Sequence, residues 1–313
     1  MTSQQRIFIT GASGQLGSVI TELALAEGQA VHALSRSPSS DSKLRALGAV
    51  PVRGDLASLD VLRTQSAAAD AVIHLATAYV FGAGEPYESV RHLDTAAADA
   101  IADGLAGSGK PLVVTSGTLS ADPHPEGGET NEASPATVNP LNTRLLTERH
   151  SLGLAARGVR VSAVRLAPYV YGRGASGVAQ FMNGAARTGS VAVVAGGGNR
   201  ISAVHVDDVA RLYLLAAERG RAGEIYNASS STDVTSREVL EAIAEVVGVP
   251  VVDLSKEDAE ARMGPMVAFF LSVENRASGA KAREELGWQP RGLGILEEIK
   301  NGSYRAVAEA LKK

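Results

Sequence analysis

The chain has no cysteine among its 313 residues. A disulfide framework, a thiolate zinc site and a cysteine nucleophile are therefore excluded, and the composition fits a reducing compartment. No run of lysines or arginines stands out, and the net charge is -4. A nucleic-acid partner is not expected from that balance, and the mild acidity implies only solubility. Long apolar runs are missing as well. A stretch such as "VAFFLSV" is far too short to cross a bilayer. The opening "MTSQQRIFITG" lacks the apolar segment of a secretory signal. A cytoplasmic protein with no membrane partner is the expectation. With 45% apolar residues the chain can bury a sizeable core, as one large domain or as two that share a cleft.

What is present is an alternation of short apolar runs with longer periodic ones. "RIFITG", "AVHALSRS", "VPVRGDL", "DAVIHLAT", "PLVVTSG" and "VRVSAVRLAP" read as strands. Between them, "QLGSVITELALAEG", "SKLRALGA", "TAAADAIADGLAGSG" and "TRLLTERHSLGLAARG" read as helices. Such alternation implies right-handed parallel βαβ units and a doubly wound α/β sheet, with ligands bound at the carboxyl ends of the strands. After residue 166 the pattern loosens. The expected organisation is a dinucleotide-binding domain over 1–165, to which 201–222 returns, and a smaller substrate-binding lobe from 166–200 and 223–313. The loop "SGTLSADPHPEGGETNEASPATVNP" should hang over the cleft. "GPMVAFFLS" is either an apolar wall for a hydrophobic substrate or ordinary core.

"ITGASGQLGS" spaces Gly11, Gly14 and Gly17 as G-x-x-G-x-x-G between the first strand and the first helix. Glycine there permits a tight turn and close backbone approach to a pyrophosphate, and the helix N-terminus supplies free N–H groups. A dinucleotide would lie along this loop, against Ser13, Gln15 and Leu16. Its type is read at the end of the second strand. "LSRS" places Arg36 where an NAD site has an acid, and no acid follows until Asp41. A carboxylate would repel a 2′-phosphate, whereas Arg pairs with it as a fork. NADP(H) is the expected cofactor; a merely solvated Arg36 is the competing reading. Asp55 and Leu56 of "RGDL" follow the third strand, with Asp55 a partner for the adenine amine. Leu75, Ala76 and Thr77 end the fourth and should pass close to the cofactor. His74 beside them reads as a packed strand residue rather than a catalyst. No metal-ligand pattern is read.

Together, "TGASGQLG", "GDL", "VIHLAT", "VVTSG", "VRLAPYVYGRG" and "AVHVDDVARLYLLAAE" resemble the short-chain dehydrogenase/reductase superfamily in its extended or atypical form. The match runs from residue 10 to about residue 218. The resemblance implies a Rossmann-type fold, an enzyme that uses a nicotinamide cofactor, and Pro168 near the nicotinamide. It also implies a catalytic Ser or Thr, a Tyr and a Lys. Thr115 and Ser116 stand where the Ser is expected. Glu148 fits an acid that commonly follows the Lys by four residues, which aligns Arg144 with the Lys and Pro140 with the Tyr. A shift of one residue would offer Leu141 and Leu145 instead. An atypical subgroup with His-x-x-x-Arg shares Arg144 but not Pro140. The resemblance further implies a homodimer through helices over roughly 88–107 and 138–157.

Pro140 has no side-chain proton to give, and Arg is a poor general acid. Arg144 either grips the cofactor ribose and steadies an oxyanion, or forms a helix-surface pair with Glu148. Tyr79 is the first substitute donor, with Tyr169, Tyr171 and His205 behind it; packing is the competing role for each. An iminium already carries its proton, and an enone can take one from water, so neither needs a phenol. The reading is an NADP(H)-dependent oxidoreductase, in the reductase direction, acting on a small carbonyl, imine or activated alkene. Two others stay open: a non-catalytic NADP(H)-binding sensor, and a sugar-nucleotide epimerase or dehydratase. The last is disfavoured because such relatives use NAD and the Tyr.

Overall fold

The structure, a computed structural model, describes residues 4–80, 85–138, 140 and 142–312. Phe81 to Gly84 after Tyr79, Asn139 in the cleft loop, and Leu141 of the shifted alignment lie outside the described residues.

Strand β1 (Arg6–Thr10) is an interior strand of the main sheet. Its Ile7, Phe8 and Ile9 are all buried, so both faces of the strand are covered. That is the behaviour of a central strand in a parallel sheet with helices on either side. The chain continues through α1 (Gln15–Ala26), β2 (Ala30–Ser35), α2 (Pro38–Leu47), β3 (Val50–Arg53), α3 (Leu59–Ala67) and β4 (Ala71–His74). It then forms α4 (Tyr87–Leu105), β5 (Pro111–Gly117), α5 (Arg144–Gly153) and β6 (Arg160–Leu166). Next come β7 (Tyr169–Tyr171), α6 (Ser176–Thr188), β8 (Val191–Val194), β9 (Arg200–His205), α7 (Val206–Arg219), β10 (Ile225–Ala228), β11 (Ser231–Thr235) and β12 (Val251–Leu254).

Seven strands make one sheet in the order β10-β6-β5-β4-β1-β2-β3. Every pairing in it is parallel. This is the expected Rossmann-type doubly wound sheet. The order reverses between β1 and β4, which opens the ligand crevice at the carboxyl ends of those strands. One face packs Ile7, Ile9, Val113 and Val164 against α1 and α7. The other packs Phe8, Val72, Leu112 and Val114 against α3 and α4. Helix α4 is tied to the turn that follows α5 by Arg157, which pairs with Asp99 and Asp103 at 2.8 and 2.9 Å.

Beyond residue 166 the chain builds smaller sheets, β11-β9-β7 and β12-β8, over a core of their own. Strand β10, residues 225–228, lies in the large sheet beside β6, so the chain rejoins it beyond 201–222. The Pro- and Gly-rich loop is pinned by contacts with later segments. Glu132 accepts from the Asn227 N–H at 2.7 Å, Glu129 from the Thr232 hydroxyl at 2.5 Å, and the Thr130 N–H donates to the Arg276 carbonyl at 2.9 Å. In "GPMVAFFLS", Ala268 and Leu271 are core, and the Phe270 ring packs at a tilt on Tyr169, with centroids 5.1 Å apart. Among the described residues no helix is long and apolar enough to cross a membrane.

Candidate cofactor and active site

Gly11 leaves β1 with a φ of +77°. A β-carbon there would stand 3.0 Å from the Ala76 nitrogen and 3.1 Å from the Leu75 β-carbon. At Gly17 an added β-carbon would meet the Gly11 carbonyl oxygen at 2.2 Å. Helix α1 therefore sits directly on the loop. Gly14 is its N-cap and offers no capping side chain, so first-turn N–H groups face outward for an anion. Ser13, Gln15 and Leu16 are half-buried at the rim. The Gln15 amide donates to the Gly172 carbonyl at 3.4 Å and ties the turn after β7 to this loop. These residues fit the pyrophosphate of a dinucleotide.

The end of β4 is held in place from β1. The Thr10 hydroxyl accepts from the Ala76 N–H at 3.2 Å and shares a hydrogen bond with His74 Nδ1 at 2.7 Å. Burial pushes the His74 imidazole down to about 4, against the opposing pull of Asp94. His74 is thus neutral near pH 7 and acts by packing and positioning. Leu75 and Ala76 stay half-buried beside Gly11. The Thr77 hydroxyl is turned to α4, donating to Asp94 at 2.6 Å.

At the other end of the crevice, Arg36 is exposed just past β2. Ser37 caps α2 by accepting from the Ser40 N–H at 3.2 Å. Asp41, the first acid beyond Arg36, pairs with Arg53. Asp55 holds the start of α3, accepting from the Ala57 N–H at 3.0 Å and the Ser58 hydroxyl at 2.9 Å. The Leu56 side chain is in the core with Leu34, which leaves only its backbone for a ligand.

Asp94 was not anticipated from the sequence. It is 5% exposed and accepts three bonds, from Thr77, from the Ala78 N–H at 2.7 Å and from the Tyr87 hydroxyl at 3.0 Å. The Tyr87 hydroxyl also meets Thr147 at 2.9 Å. Burial pushes the Tyr87 phenol up to about 12, so it stays protonated. The Arg144 guanidinium lies 5.7 Å over its ring. Together with Thr77, Thr115 and Thr147 these groups enclose a cavity of about 30 Å³ under the ends of β4 and β5. Helix α5 begins on Arg144 with no acid in its first turn. A cation at that end opposes the helix dipole, a local cost that a functional role would explain. Glu148 is not a surface partner. It is 3% exposed, and its two oxygens accept from Arg165 Nε and Nη2 at 2.8 and 2.6 Å.

The structure separates Thr115 from Ser116. Thr115 donates to the His74 carbonyl at 3.0 Å and meets the Tyr213 hydroxyl of α7 at 2.7 Å. Alternation along β5 turns Ser116 to the opposite face. Its register partner there is Arg165, whose side chain reaches Glu148 of α5. Ser116 is buried and shares a face with Arg165, whereas Thr115 is half-buried and lines the cavity with Arg144. Thr115→Val should strand the Tyr213 hydroxyl and cost about 1–3 kcal/mol in urea unfolding, while cofactor affinity stays as in the parent. An unchanged unfolding midpoint would show that this bond contributes nothing.

The substitute donors also find places. Tyr79 is 8% exposed and meets Tyr87 edge-on at 5.7 Å. The Tyr171 hydroxyl donates to the Leu293 carbonyl at 2.6 Å. His205 caps α7, accepting from the Asp207 N–H at 3.2 Å. Tyr169 is core, packed on Phe270. Pro168 follows β6 and is half-buried. For Tyr169, Tyr171 and His205 the packing role is the one their contacts describe.

Residues 7–229 match the model of the NAD dependent epimerase/dehydratase family. The chain belongs to that family. The resemblance to extended short-chain dehydrogenases/reductases is thereby borne out. An uncharacterized protein of Schizosaccharomyces pombe is 35% identical over 300 residues, spanning 96% of this chain and 99% of that protein. A 4-hydroxy-2-methyl-3-oxo-4-farnesyl-3,4-dihydroquinoline-1-oxide ketoreductase of Stigmatella aurantiaca is 28% identical, spanning 91% and 92%. Among solved structures, MoeE5 in complex with UDP-glucuronic acid and NAD superposes with a TM-score of 0.77 at 25% identity, over 97% of this chain and 99% of that one. The family is one that binds a nicotinamide cofactor.

Proposed function

We propose that the protein is an NADP(H)-dependent reductase of a small hydrophobic carbonyl, imine or activated alkene. The observation that carries the NADP(H) part is the end of β2. Arg36 is exposed there, and the first acid beyond it is engaged by Arg53. A 2′-phosphate would meet a guanidinium, not a carboxylate. The ketoreductase relative, named for a farnesylated substrate, supports a hydrophobic carbonyl. Arg36→Ala should weaken NADPH by about tenfold or more and NADH by less than about twofold, measured by fluorescence titration. Equal weakening of both would remove the NADP(H) assignment.

When bound, the cofactor supplies hydride. The chain's own residues do the rest. Thr115 or Ser116, at the carboxyl end of β5, donates to the substrate oxygen. Arg144 holds the nicotinamide ribose and steadies negative charge on that oxygen. The reading keeps Tyr79, which follows β4, as proton donor for ketones. Iminium and enone substrates dispense with it. A homodimer through α4 and α5 is part of the reading, on the family resemblance alone. A cytoplasmic location is part of it too.

Pro140 favours a second reading, a non-catalytic NADP(H) sensor. Tight NADPH binding without turnover on any substrate class would support it. Pro140 and Arg36 both weigh against a sugar-nucleotide epimerase, which would want the Tyr and NAD.

A further inference from the structure

Arg53 brings a second guanidinium to the adenosine end of the crevice. It closes β3 and stands in register with Ser35, so it leaves the sheet at the same carboxyl edge as Arg36. Its Nη1 donates to the Ser35 carbonyl at 3.4 Å, which folds the side chain back over the end of β2. Its Nη2 pairs with Asp41 in the first turn of α2. Ser37 shares hydrogen bonds with the Ser39 and Ser40 hydroxyls beside them, at 3.0 and 3.1 Å.

We propose that Arg53 is a second 2′-phosphate ligand, which keeps Asp41 neutralised while it offers its remaining N–H groups to the phosphate, and which sets the cofactor preference together with Arg36. The inference rests on the NADP(H) reading. Half of the Arg53 side chain is exposed, at 51%, while Asp41 is at 15%. The guanidinium carries five N–H donors, so those not used by Asp41 and Ser35 remain for a phosphate. The Asp41 Oδ1 is buried and has no hydrogen-bond partner among the described residues. Asp41 is thus a poorly satisfied counter-ion. A phosphate dianion offers more charge and several acceptor oxygens to the guanidinium fork. The competing role for Arg53 is a structural tie between β3 and α2.

Calorimetric titration with 2′,5′-ADP and with 5′-AMP separates the two roles, because only the first carries the extra phosphate and neither requires turnover. The parent protein should prefer 2′,5′-ADP. Arg53→Ala should weaken 2′,5′-ADP about tenfold and leave 5′-AMP within about twofold. Asp41→Asn should tighten 2′,5′-ADP by removing a negative charge beside Arg53. The proposal is overturned if Arg53→Ala keeps the parent ratio while Arg36→Ala collapses it, or if Asp41→Asn weakens 2′,5′-ADP. A parent protein with no preference between the two ligands would overturn the NADP(H) reading itself.

Discussion

Replacing Glu148 with alanine is expected to lower the unfolding free energy by about 3–5 kcal/mol. The side chains of Glu148 and Arg165 are 1% and 8% exposed. Their two bonds, at 2.8 and 2.6 Å, are parallel arms of one fork. Removing the carboxylate leaves a guanidinium in a site from which water is largely excluded, and that stranded charge is the source of the cost. The pair itself need not be a large net stabiliser, since both ions lost their hydration on folding. The double replacement Glu148→Leu with Arg165→Met should therefore recover most of the loss. Urea unfolding of the three variants reads this directly, provided the slope with denaturant stays constant. A loss below about 1 kcal/mol for Glu148→Ala would mean that Arg165 finds water or another partner, contrary to its burial. The pair also clamps α5 to β6, beside Ser116, and so fixes where Arg144 stands.

Arg144→Met is expected to lower kcat/KM by about 10²–10³-fold, with stability changed by less than about 1 kcal/mol. Met keeps much of the volume and contact with the Tyr87 ring but removes the charge. The size of the effect follows from a low-dielectric position, against the cavity between Thr77, Tyr87 and Thr115. Arg144→Lys keeps a cation and should restore part of the rate. A loss carried wholly by a higher KM for NADPH would assign Arg144 to the ribose. A loss in kcat would assign it to the reacting oxygen. Unchanged kinetics would remove Arg144 from the site.

The glycine loop was legible because its constraint is local. Gly11 and Gly17 sit where a β-carbon would collide with neighbouring backbone, and the spacing records that directly. The alternation of strands and helices was legible for the same reason, and it led to the observed parallel sheet. What the sequence hid were contacts between distant segments. Glu148 looked like a surface partner of Arg144 at helical spacing, yet it is buried against Arg165 on β6. Nothing in a one-dimensional pattern separates those two outcomes. Asp94 and Tyr87 precede the Ala-rich run that read as a helix, and the bonds of Asp94 to Thr77 and Tyr87 depend on how α4 crosses the end of β4. Arg53 drew no reading from the sequence, and the β2–β3 register is what sets it beside Ser35. Thr115 and Ser116 were adjacent letters; only the register with Val164 and Arg165 assigns them to opposite faces.

The most direct test of the account is steady-state NADPH oxidation, followed optically, over a panel of hydrophobic ketones, aldehydes, cyclic imines and enones, with NADH in parallel. The account predicts turnover with at least one class, and a clear preference for NADPH over NADH. Tight NADPH binding in the same samples, with no class reduced, would contradict it and leave the sensor reading in its place.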